Sequence, residues 1–397
     1  MRLKWTCHDE SAPEAAWPRS HLCRILFDPP CLEAQLSETE SEISIELLRE
    51  LSLASGPPGA EDEVRAIVHR ELGSLASLQH DAHGSVIVEG SGQGPRVALD
   101  AHMDEVGFAV QSIDDEGRIH FVPLGGWWGH VLLAQRVDIL ASGGRKIPGS
   151  IGCKPPHFLK KSEREKVLSI EDMHIDVGAR NRSDLEQWGV RVGDPICPRG
   201  QFEALAAAGR YCCKAFDDRV GVAVLIESFR ILNADADLSC QPIAVAAVQE
   251  EVGCRGARTA SAISNPDVAI ILEGTPADDL PGMTSRQSVL GGGPQIRFLD
   301  PTALSNRRLV RLCEQVAEEE KIQVQLAVRR SGGTDASTTH LHGSGVPTIV
   351  VGVPARSIHS HSSVIDIDDY QKAIQLVVAL VRQLDTDTVG SLTDYSS

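Results

Sequence analysis

The spacing of apolar residues predicts helices and strands that alternate along most of the chain. Residues 41–53 and 61–72 have helical spacing, and the segment SGPPG separates them. The later elements are predicted as strands at 83–90, 95–102, 242–249, 268–274 and 346–353 and as helices at 219–232, 306–320 and 368–384. Ser305 is the predicted N-cap of the helix at 306–320. Strands that alternate with helices predict an α/β sheet with helices on both faces.

A central stretch of the chain interrupts this alternation. Residues 108–208 contain short β-like runs, such as GRIHFVPL and QRVDILASGG, with frequent glycines and little helix. We therefore expect a discontinuous α/β domain, formed by residues 41–107 and 209–390, with a β-rich domain of residues 108–208 inserted between its halves. Residues 1–40 show neither period and lack the apolar stretch of a signal peptide. We expect them to be a poorly ordered extension or a docking tail.

Charge and cysteine content narrow the functional classes. The chain of 397 residues has 38 basic and 55 acidic side chains, a net charge of −17. Such a charge argues against nucleic-acid and anionic-membrane partners. No apolar run reaches the length of a membrane-spanning helix. The 10 cysteines are scattered without a C-x-x-C motif, which indicates reduced thiols and a cytoplasmic protein.

Polar side chains follow the predicted strands at equivalent positions. In an α/β sheet, ligands bind in the crevice at the carboxyl ends of the strands. Taken singly, each of these residues has an ordinary interpretation, such as a surface histidine or an acidic helix cap. Together they predict one site at this edge of the sheet. The residues are His102, Asp104, Glu250, Glu251, Glu273 and His359, with Asp217 and Asp218 before the helix at 219–232.

The residue types at this edge indicate a metal site. Imidazoles and carboxylates without a thiolate suit Zn²⁺, Co²⁺ or Mn²⁺. One carboxylate can bridge two such ions, which then lower the pKa of a shared water. Of the adjacent glutamates, one can be a ligand and the other a general base. The chain has no G-x-S-x-G, P-loop, G-x-G-x-x-G or H-E-x-x-H motif. This disfavours an α/β-hydrolase triad, simple nucleotide binding and a zincin helix.

The motifs that surround these residues resemble a known family. The chain contains, in this order, HMDEVGF, KAFDDRVG, QEEVGCRGA, GTPADDLPG, SGGTDAS and IHS. In this it resembles the TET-type dinuclear aminopeptidases, which include glutamyl and deblocking aminopeptidases and some proteins labelled endoglucanase or cellulase M. The resemblance extends from about residue 41 to about residue 384. It implies a zinc-peptidase-like α/β/α sandwich with an inserted, PDZ-like β-barrel that serves for dimerisation.

The resemblance also implies a role for each site residue. It implies two divalent ions per subunit, Zn²⁺ or Co²⁺ and, as a further choice, Mn²⁺. Glu273 stands where many relatives have aspartate, which changes the reach of the carboxylate. By this similarity His102, Asp217, Glu251, Glu273 and His359 bind metal with Asp217 as the bridge, Glu250 is the general base, and Asp104 orients His102.

Three neighbouring residues receive lesser roles. His361 follows the His-Ser pair, and we expect that it is not a ligand. Asp335 in SGGTDAS is a candidate to hold the substrate amine or the loops of the site. Asp218 is expected to support the start of a helix rather than a metal.

The implied reaction is removal of the N-terminal residue from short peptides by dimers that assemble into a tetrahedral dodecamer. A dinuclear N-acyl amino acid amidase or deacylase would use the same ligands, and the need for a free substrate amine separates the two. An endoglucanase is disfavoured because only 4% of the residues are aromatic and the carboxylates accompany histidines. A non-catalytic shell protein is disfavoured because every expected ligand and the base are present.

Overall fold

The computed structural model describes residues 45–396. The extension expected for residues 1–40 and the first residues of the predicted helix at 41–53 lie outside this range. Within it, no helix has both the length and the apolar character needed to cross a bilayer. The α-helices are α1 (Ile45–Leu53), α2 (Asp62–Leu72), α3 (Lys161–Arg164), α4 (Arg182–Trp188), α5 (Phe216–Asn233), α6 (Arg255–Ser264), α7 (Arg307–Glu319), α8 (Ala336–Thr339), α9 (Ile367–Arg382) and α10 (Thr386–Leu392).

The strands between residues 45 and 396 form a mixed sheet and a closed barrel. In chain order they are β1 (Ser77–His80), β2 (Val86–Glu89), β3 (Arg96–His102), β4 (Gly107–Ile113), β5 (Ile119–Leu124), β6 (Arg136–Ala141), β7 (Arg145–Gly152), β8 (His174–Asp176), β9 (Pro195–Pro198), β10 (Glu203–Ala204), β11 (Arg210–Cys213), β12 (Gln241–Ala247), β13 (Val268–Pro276), β14 (Gln295–Leu299), β15 (Gln325–Val328), β16 (Thr348–Arg356) and β17 (Ser363–Asp366).

The sheet has 11 strands, and its centre is parallel. Its order is β1-β2-β12-β3-β13-β16-β17-β11-β10, and β14 pairs with β15 and β16. Strands β12, β3, β13 and β16 run parallel to one another, whereas β2 and β17 flank them in the antiparallel direction. The carboxyl ends of the four central strands therefore meet at one edge of the sheet.

Helices cover both faces of this sheet, which explains why its central strands are almost continuously apolar. On one face, α1, α2, α5, α7 and α9 enclose a core that includes Phe216, Phe229 and Tyr370. On the other face, α6 and α8 bury small side chains such as Ala257. Gly256 permits this close approach of α6, since a Cβ there would lie 2.4 Å from the backbone of Val248. The predicted helix–sheet–helix layering is thus observed.

The inserted segment folds into a barrel with a core of its own. Strands β4, β5, β8, β7, β6 and β9 close the barrel in that order, with antiparallel pairing throughout. Inside it, Phe108 meets Phe121 edge-on with ring centres 5.0 Å apart, and Trp127 stacks on Phe108 at 4.8 Å. The barrel strands run from Gly107 to Pro198, and β10 already belongs to the main sheet. The domain boundaries given above stay predictions.

One helix cap differs from the prediction. The N-cap of α7 is Asn306, whose side-chain oxygen accepts hydrogen bonds from the N–H groups of Arg308 and Leu309 at 3.0 Å. The prediction of Ser305 as the cap was therefore wrong. The Ser305 hydroxyl instead donates to the carbonyl of Arg297 at 2.6 Å, which ties this loop to β14.

Candidate metal centre

The parallel strands deliver the predicted site residues to one edge of the sheet. His102 is the last residue of β3 and pairs in register with Ala247, the last residue of β12. Glu250 and Glu251 follow in the turn after β12. Glu273 lies inside β13 and not beyond it, because β13 continues alongside β16 as far as Pro276.

Asp217 reaches this edge from the start of α5. Its backbone is not helical (φ −87°, ψ 102°), so the regular part of the helix begins after it. Gly274 allows β13 to pass close to this turn, because a Cβ on Gly274 would lie 2.4 Å from the carbonyl oxygen of Phe216. Because Gly274 has no side chain, β13 approaches this turn closely, and the Asp217 carboxylate lies near Glu273.

Three residues form a first donor group: His102, Asp217 and Glu273 each offer one ligand atom, and these atoms lie within 4.8 Å of one another. His102 Nε2 is 3.4 Å from Asp217 Oδ1 and 3.8 Å from Glu273 Oε2. Both His102 and Glu273 are buried, at 2% and 5% exposure. The arrangement converges an imidazole and two carboxylates on one enclosed point.

A second donor group shares Asp217 with the first. Asp217, Glu251 and His359 also place their ligand atoms within 4.8 Å of one another. His359 Nε2 lies 3.2 Å from Asp217 Oδ2 and 3.2 Å from Glu251 Oε1. The two oxygens of Asp217 therefore face different histidines, Oδ1 towards His102 and Oδ2 towards His359.

Asp104 holds the two glutamates in place. Its Oδ1 accepts a hydrogen bond from the N–H of Glu250 at 2.9 Å, and its Oδ2 accepts one from the N–H of Glu251 at 3.0 Å. His102 Nδ1 lies 3.0 Å from the backbone carbonyl of Asp104 and 3.5 Å from its Oδ1. Both the main chain and the carboxylate of Asp104 thus face His102, and the carboxylate also aligns the turn after β12.

The barrel also contributes to the second group. The carbonyl oxygen of Gly126, in the loop after β5, lies 2.7 Å from His359 Nδ1. This contact directs His359 Nε2 towards Asp217. The preceding residue, Gly125, has a φ of 87°, and a Cβ there would lie 3.0 Å from Glu251 Oε2. Two consecutive glycines of the barrel loop therefore pack against two of the candidate ligands.

The electrostatics of the cluster favour bound cations. Burial and the neighbouring Asp218 carboxylate raise the pKa of Glu273 well above its usual value. Burial likewise raises the pKa of Glu250 to about 8. Although burial alone would lower it, contact with Asp217 and Glu251 raises the pKa of His359 to about 11. Without ions the cluster holds protons in their place, because so many carboxylates share little water.

Two further residues predicted as non-ligands lie beside these groups. Asp218 is fully buried, where its Oδ1 accepts from the N–H of Gly221 at 3.0 Å and its Oδ2 from the N–H of His102 at 3.1 Å. His361 Nε2 is 3.0 Å from the carbonyl of Arg136 in the barrel, and His361 belongs to neither donor group. Burial lowers the pKa of His361 to about 4, so the ring is neutral near pH 7.

A buried ion network behind the site was not predicted. Glu105 Oε1 accepts from Lys214 Nζ at 2.6 Å and from Arg219 Nη2 at 3.1 Å, and all three side chains are almost fully buried. Arg219 also donates to the carbonyls of Leu51 and Ala54. The charged residues within the motifs HMDEVGF and KAFDDRVG, beside the predicted ligands, were the available signal. The network ties both motifs to the loop after α1.

The residues present fit divalent metal ions. The donor set of imidazole and carboxylate is the one that Zn²⁺ and related ions prefer. Glu251 Oε1 is buried. His359 Nε2 lies 3.2 Å from it and equally 3.2 Å from Asp217 Oδ2, so among the described residues Glu251 Oε1 has no hydrogen-bond partner of its own. A buried oxygen without a partner is costly in a folded protein, and a cation bound here would satisfy it.

Comparison with known proteins agrees with this chemistry. The model of the M42 glutamyl aminopeptidase family matches residues 84–376. The glutamyl aminopeptidase of Lactococcus lactis is 33% identical over 355 residues, which cover 88% of this chain and 98% of that protein.

Two solved structures share the whole fold. The crystal structure of a TET aminopeptidase from a marine-sediment archaeon of the Thaumarchaeota has a TM-score of 0.85 and 39% identity, and the match covers 88% of this chain and 98% of that one. The TET1 peptidase of Pyrococcus horikoshii, which can assemble into a tetrahedron or a large octahedral shell, has a TM-score of 0.77 and 30% identity over 86% of this chain and 99% of its own.

These findings confirm the resemblance to the TET-type aminopeptidases and the mixed α/β fold with its closed six-stranded barrel. The match spans the sheet, the barrel and both donor groups. The chain belongs to the M42 glutamyl aminopeptidase family and is a metal-dependent aminopeptidase.

Proposed function

We propose that this chain removes the N-terminal residue from short peptides at a centre of two divalent ions bridged by Asp217. The observation that carries the proposal is the orientation of Asp217, whose two oxygens face His102 and His359 separately. A single ion would need only one of these donor groups. Two groups that share one carboxylate are the arrangement that a bridged pair of ions requires.

The remaining ligands divide between the two groups. His102 and Glu273 would hold one ion, and Glu251 and His359 the other. Zn²⁺, Co²⁺ and Mn²⁺ all suit these donors. Ions bound here supply Lewis-acid polarisation of the scissile carbonyl and lower the pKa of the attacking water.

Glu250 is the proposed general base. Its Oε2 lies 3.8 Å from His102 Nε2, beside the first donor group, but Glu250 belongs to neither group of proposed ligands. The hydrogen bond from its N–H to Asp104 fixes the turn that carries it. Its carboxylate takes a proton from the attacking water and passes it to the leaving amine. Without ions, burial raises the pKa of Glu250 to about 8, and two cations bound beside it would lower that value, which leaves the carboxylate free to accept a proton.

The acidic surroundings favour a substrate with a free amine. The free amine of a peptide would dock on one of the two ions or on a nearby carboxylate of the cluster formed by Asp217, Glu250, Glu251 and Glu273. An N-acylated substrate has no such amine. This preference separates an aminopeptidase from an amidase or deacylase built on the same ligands.

The barrel is the proposed dimerisation surface. Several of its large apolar side chains are exposed, among them Trp128 at 66%, Phe158 at 72% and Val167 at 72%. Exposed apolar side chains of this size are typical of association surfaces. Given the assemblies named for the Pyrococcus horikoshii relative, we propose dimers that assemble into a tetrahedral dodecamer, whose enclosed sites would admit only short peptides.

A release assay tests the proposed reaction. The chain would be stripped with a chelator, reloaded with Zn²⁺, Co²⁺ or Mn²⁺, and given a panel of amino-acid p-nitroanilides together with their N-acetylated counterparts. We expect metal-dependent release from the free-amine substrates alone, and the panel then identifies the preferred side chain. Release from the acetylated set alone would contradict the aminopeptidase assignment and favour a deacylase.

A further inference from the structure

A cysteine contacts the proposed base from the side away from the two donor groups. Cys254 precedes α6 with a φ of 51° and is 8% exposed. Its Sγ lies 3.3 Å from Glu250 Oε1 and 3.3 Å from the carbonyl oxygen of Thr334. Oε2 of the same glutamate faces His102. Glu250 therefore lies between the metal centre and the thiol.

Asp335 completes a third group of potential ligands. Glu250, Cys254 and Asp335, here called the Cys254 cluster, each offer one ligand atom within 4.8 Å of the others. Asp335 is 1% exposed, and neither of its carboxylate oxygens has a hydrogen-bond partner among the described residues. Although it precedes α8, its side chain does not cap that helix. A buried carboxylate without any partner costs free energy in the folded protein, so Asp335 requires either a proton or a bound cation.

The charges around Asp335 favour a cation. The acidic groups that act on it are Asp100, Asp104 and Glu250, and His102 is the basic group among those that act on it most strongly. Asp100 is itself 2% exposed, and its Oδ1 also has no hydrogen-bond partner in the described part of the chain. Negative charge thus accumulates behind the base with little to balance it.

The donor chemistry identifies the kind of ion. A thiolate beside two carboxylates is a set that Zn²⁺ and softer divalent ions accept, whereas Mg²⁺ and Ca²⁺ prefer oxygen alone. We propose that Glu250, Cys254 and Asp335 form a third cation site, distinct from the two-ion centre, which takes a thiophilic divalent ion such as Zn²⁺ or Cd²⁺. Binding forms a sulfur–metal bond and releases the thiol proton to solvent.

Occupation of this site would withdraw the base. Glu250 can accept a proton only while its carboxylate is free, and an ion shared with Cys254 and Asp335 competes for that carboxylate. This consequence rests on the role proposed above for Glu250, whereas binding itself does not. The enzyme would then need two ions for turnover and would lose activity when a third binds.

Spectroscopy can detect the site without any activity measurement. Cd²⁺ would be titrated into the enzyme already loaded with its two ions, and the thiolate-to-metal charge-transfer absorption recorded. The two-ion centre contains no thiolate, so it does not contribute to this signal. We expect Cys254→Ser to lose the absorption that one thiolate contributes. Cys153→Ser should keep the absorption that Cys254 contributes, since Cys153 lies in the barrel segment. All seven cysteines within residues 45–396 are free thiols, and those other than the substituted one contribute equally in both variants.

Asp335→Asn gives an independent check. It removes the carboxylate charge but leaves the thiol, so half-saturation should move to a Cd²⁺ concentration about tenfold higher or more, the size of effect expected when a metal site loses a supporting carboxylate. An absorption titration that is the same in wild type, Cys254→Ser and Asp335→Asn would overturn the third site.

Inhibition distinguishes this proposal from the assignment of the base. We expect excess Zn²⁺ to inhibit the loaded wild type, and the inhibitory concentration, measured against each variant's own uninhibited rate, to rise by about tenfold or more in Cys254→Ser. A Cys254-dependent absorption without inhibition would leave the third site standing and overturn Glu250 as the base. Inhibition that is identical in Cys254→Ser and Cys153→Ser would count against the Cys254 cluster.

Discussion

The two halves of the proposed metal centre are supported in different ways. His102 and Glu273 project from the neighbouring parallel strands β3 and β13, and both are almost fully buried. His359 lies in the loop between β16 and β17 with a φ of 54°, and its side chain is 31% exposed. Glu251 lies in the turn after β12. Sheet register thus fixes the first half, and loop contacts fix the second.

This difference indicates a division of labour. The sheet half does not depend on the barrel or on the loop after β16, so its ion should be the more tightly bound. The loop half depends on the Gly126 carbonyl, which belongs to the barrel loop. The exposure of His359 leaves room for a substrate beside this half. On the proposed assignment, the barrel would support the site as well as any association of subunits.

The largest expected effect comes from the residue that belongs to neither half. Glu250→Gln should lower kcat by about 10²–10⁴-fold, because general acid–base catalysis contributes that much. Both ions should remain, as measured by metal analysis of the dialysed protein. Glu319→Gln makes the same change at the exposed end of α7, outside every donor group, and should keep full activity. Near-normal turnover in Glu250→Gln would refute the base assignment.

Removal of one histidine from each half tests the comparison itself. His359→Ala should retain the ion at His102, and metal content should fall by one ion per chain. His102→Ala should lose the tighter ion and bind the other more weakly, since the shared Asp217 loses its partner. Activity should fall by about 100-fold or more in both, because loss of a ligand exceeds the 10–100-fold effect of its supporting contacts. Equal metal content in the two variants would contradict the proposed asymmetry.

Stepwise reloading of the stripped protein should separate stability from activity. The first ion enters the buried half, where burial and Asp218 otherwise disfavour the ionised form of Glu273, so it should raise the melting temperature most. A ligand at 100 times its Kd stabilises by about 2.7 kcal/mol. The second ion should restore turnover with a smaller gain in stability. Parallel recovery of both properties with each equivalent of metal would argue against two unequal halves.

The smallest effect is expected from the barrel glycines. Gly125→Ala places a Cβ 2.7 Å from Val106 and 3.0 Å from Glu251, and should weaken the second ion by about 10–100-fold. Gly143→Ala is the matched control, because Gly143 also has a positive φ (74°) but open space around it. Both variants should lose about 1–2 kcal/mol of folding stability from backbone strain. If both also bind metal equally well, the barrel loop has no part in the site.

The layers of the fold and the members of the cluster could be anticipated because they follow from local patterns. Apolar runs mark the central strands, and in a parallel sheet their carboxyl ends share an edge. This places His102, Glu250, Glu251 and Glu273 together before any coordinates are known. The short polar strand β1, with the sequence SLQH, escapes such reasoning because three of its four residues are exposed.

Contacts between distant parts of the chain could not be anticipated in this way. The hydrogen bond from His359 to the Gly126 carbonyl joins residues 233 positions apart. The contact of Cys254 with the Thr334 carbonyl joins residues 80 positions apart, and neither it nor the unpartnered Asp335 has a periodic signature. The prediction of Ser305 as the helix cap was wrong for a local reason. Asn306 is one residue nearer the helix, and the Ser305 hydroxyl donates its hydrogen bond to β14.

The most direct test is a crystal structure of the protein loaded with two equivalents of Zn²⁺, with anomalous scattering measured at the zinc absorption edge. The two-ion assignment predicts two peaks that share Asp217, one beside His102 and Glu273 and the other beside Glu251 and His359. A single peak, or two peaks of which neither contacts Asp217, would contradict it.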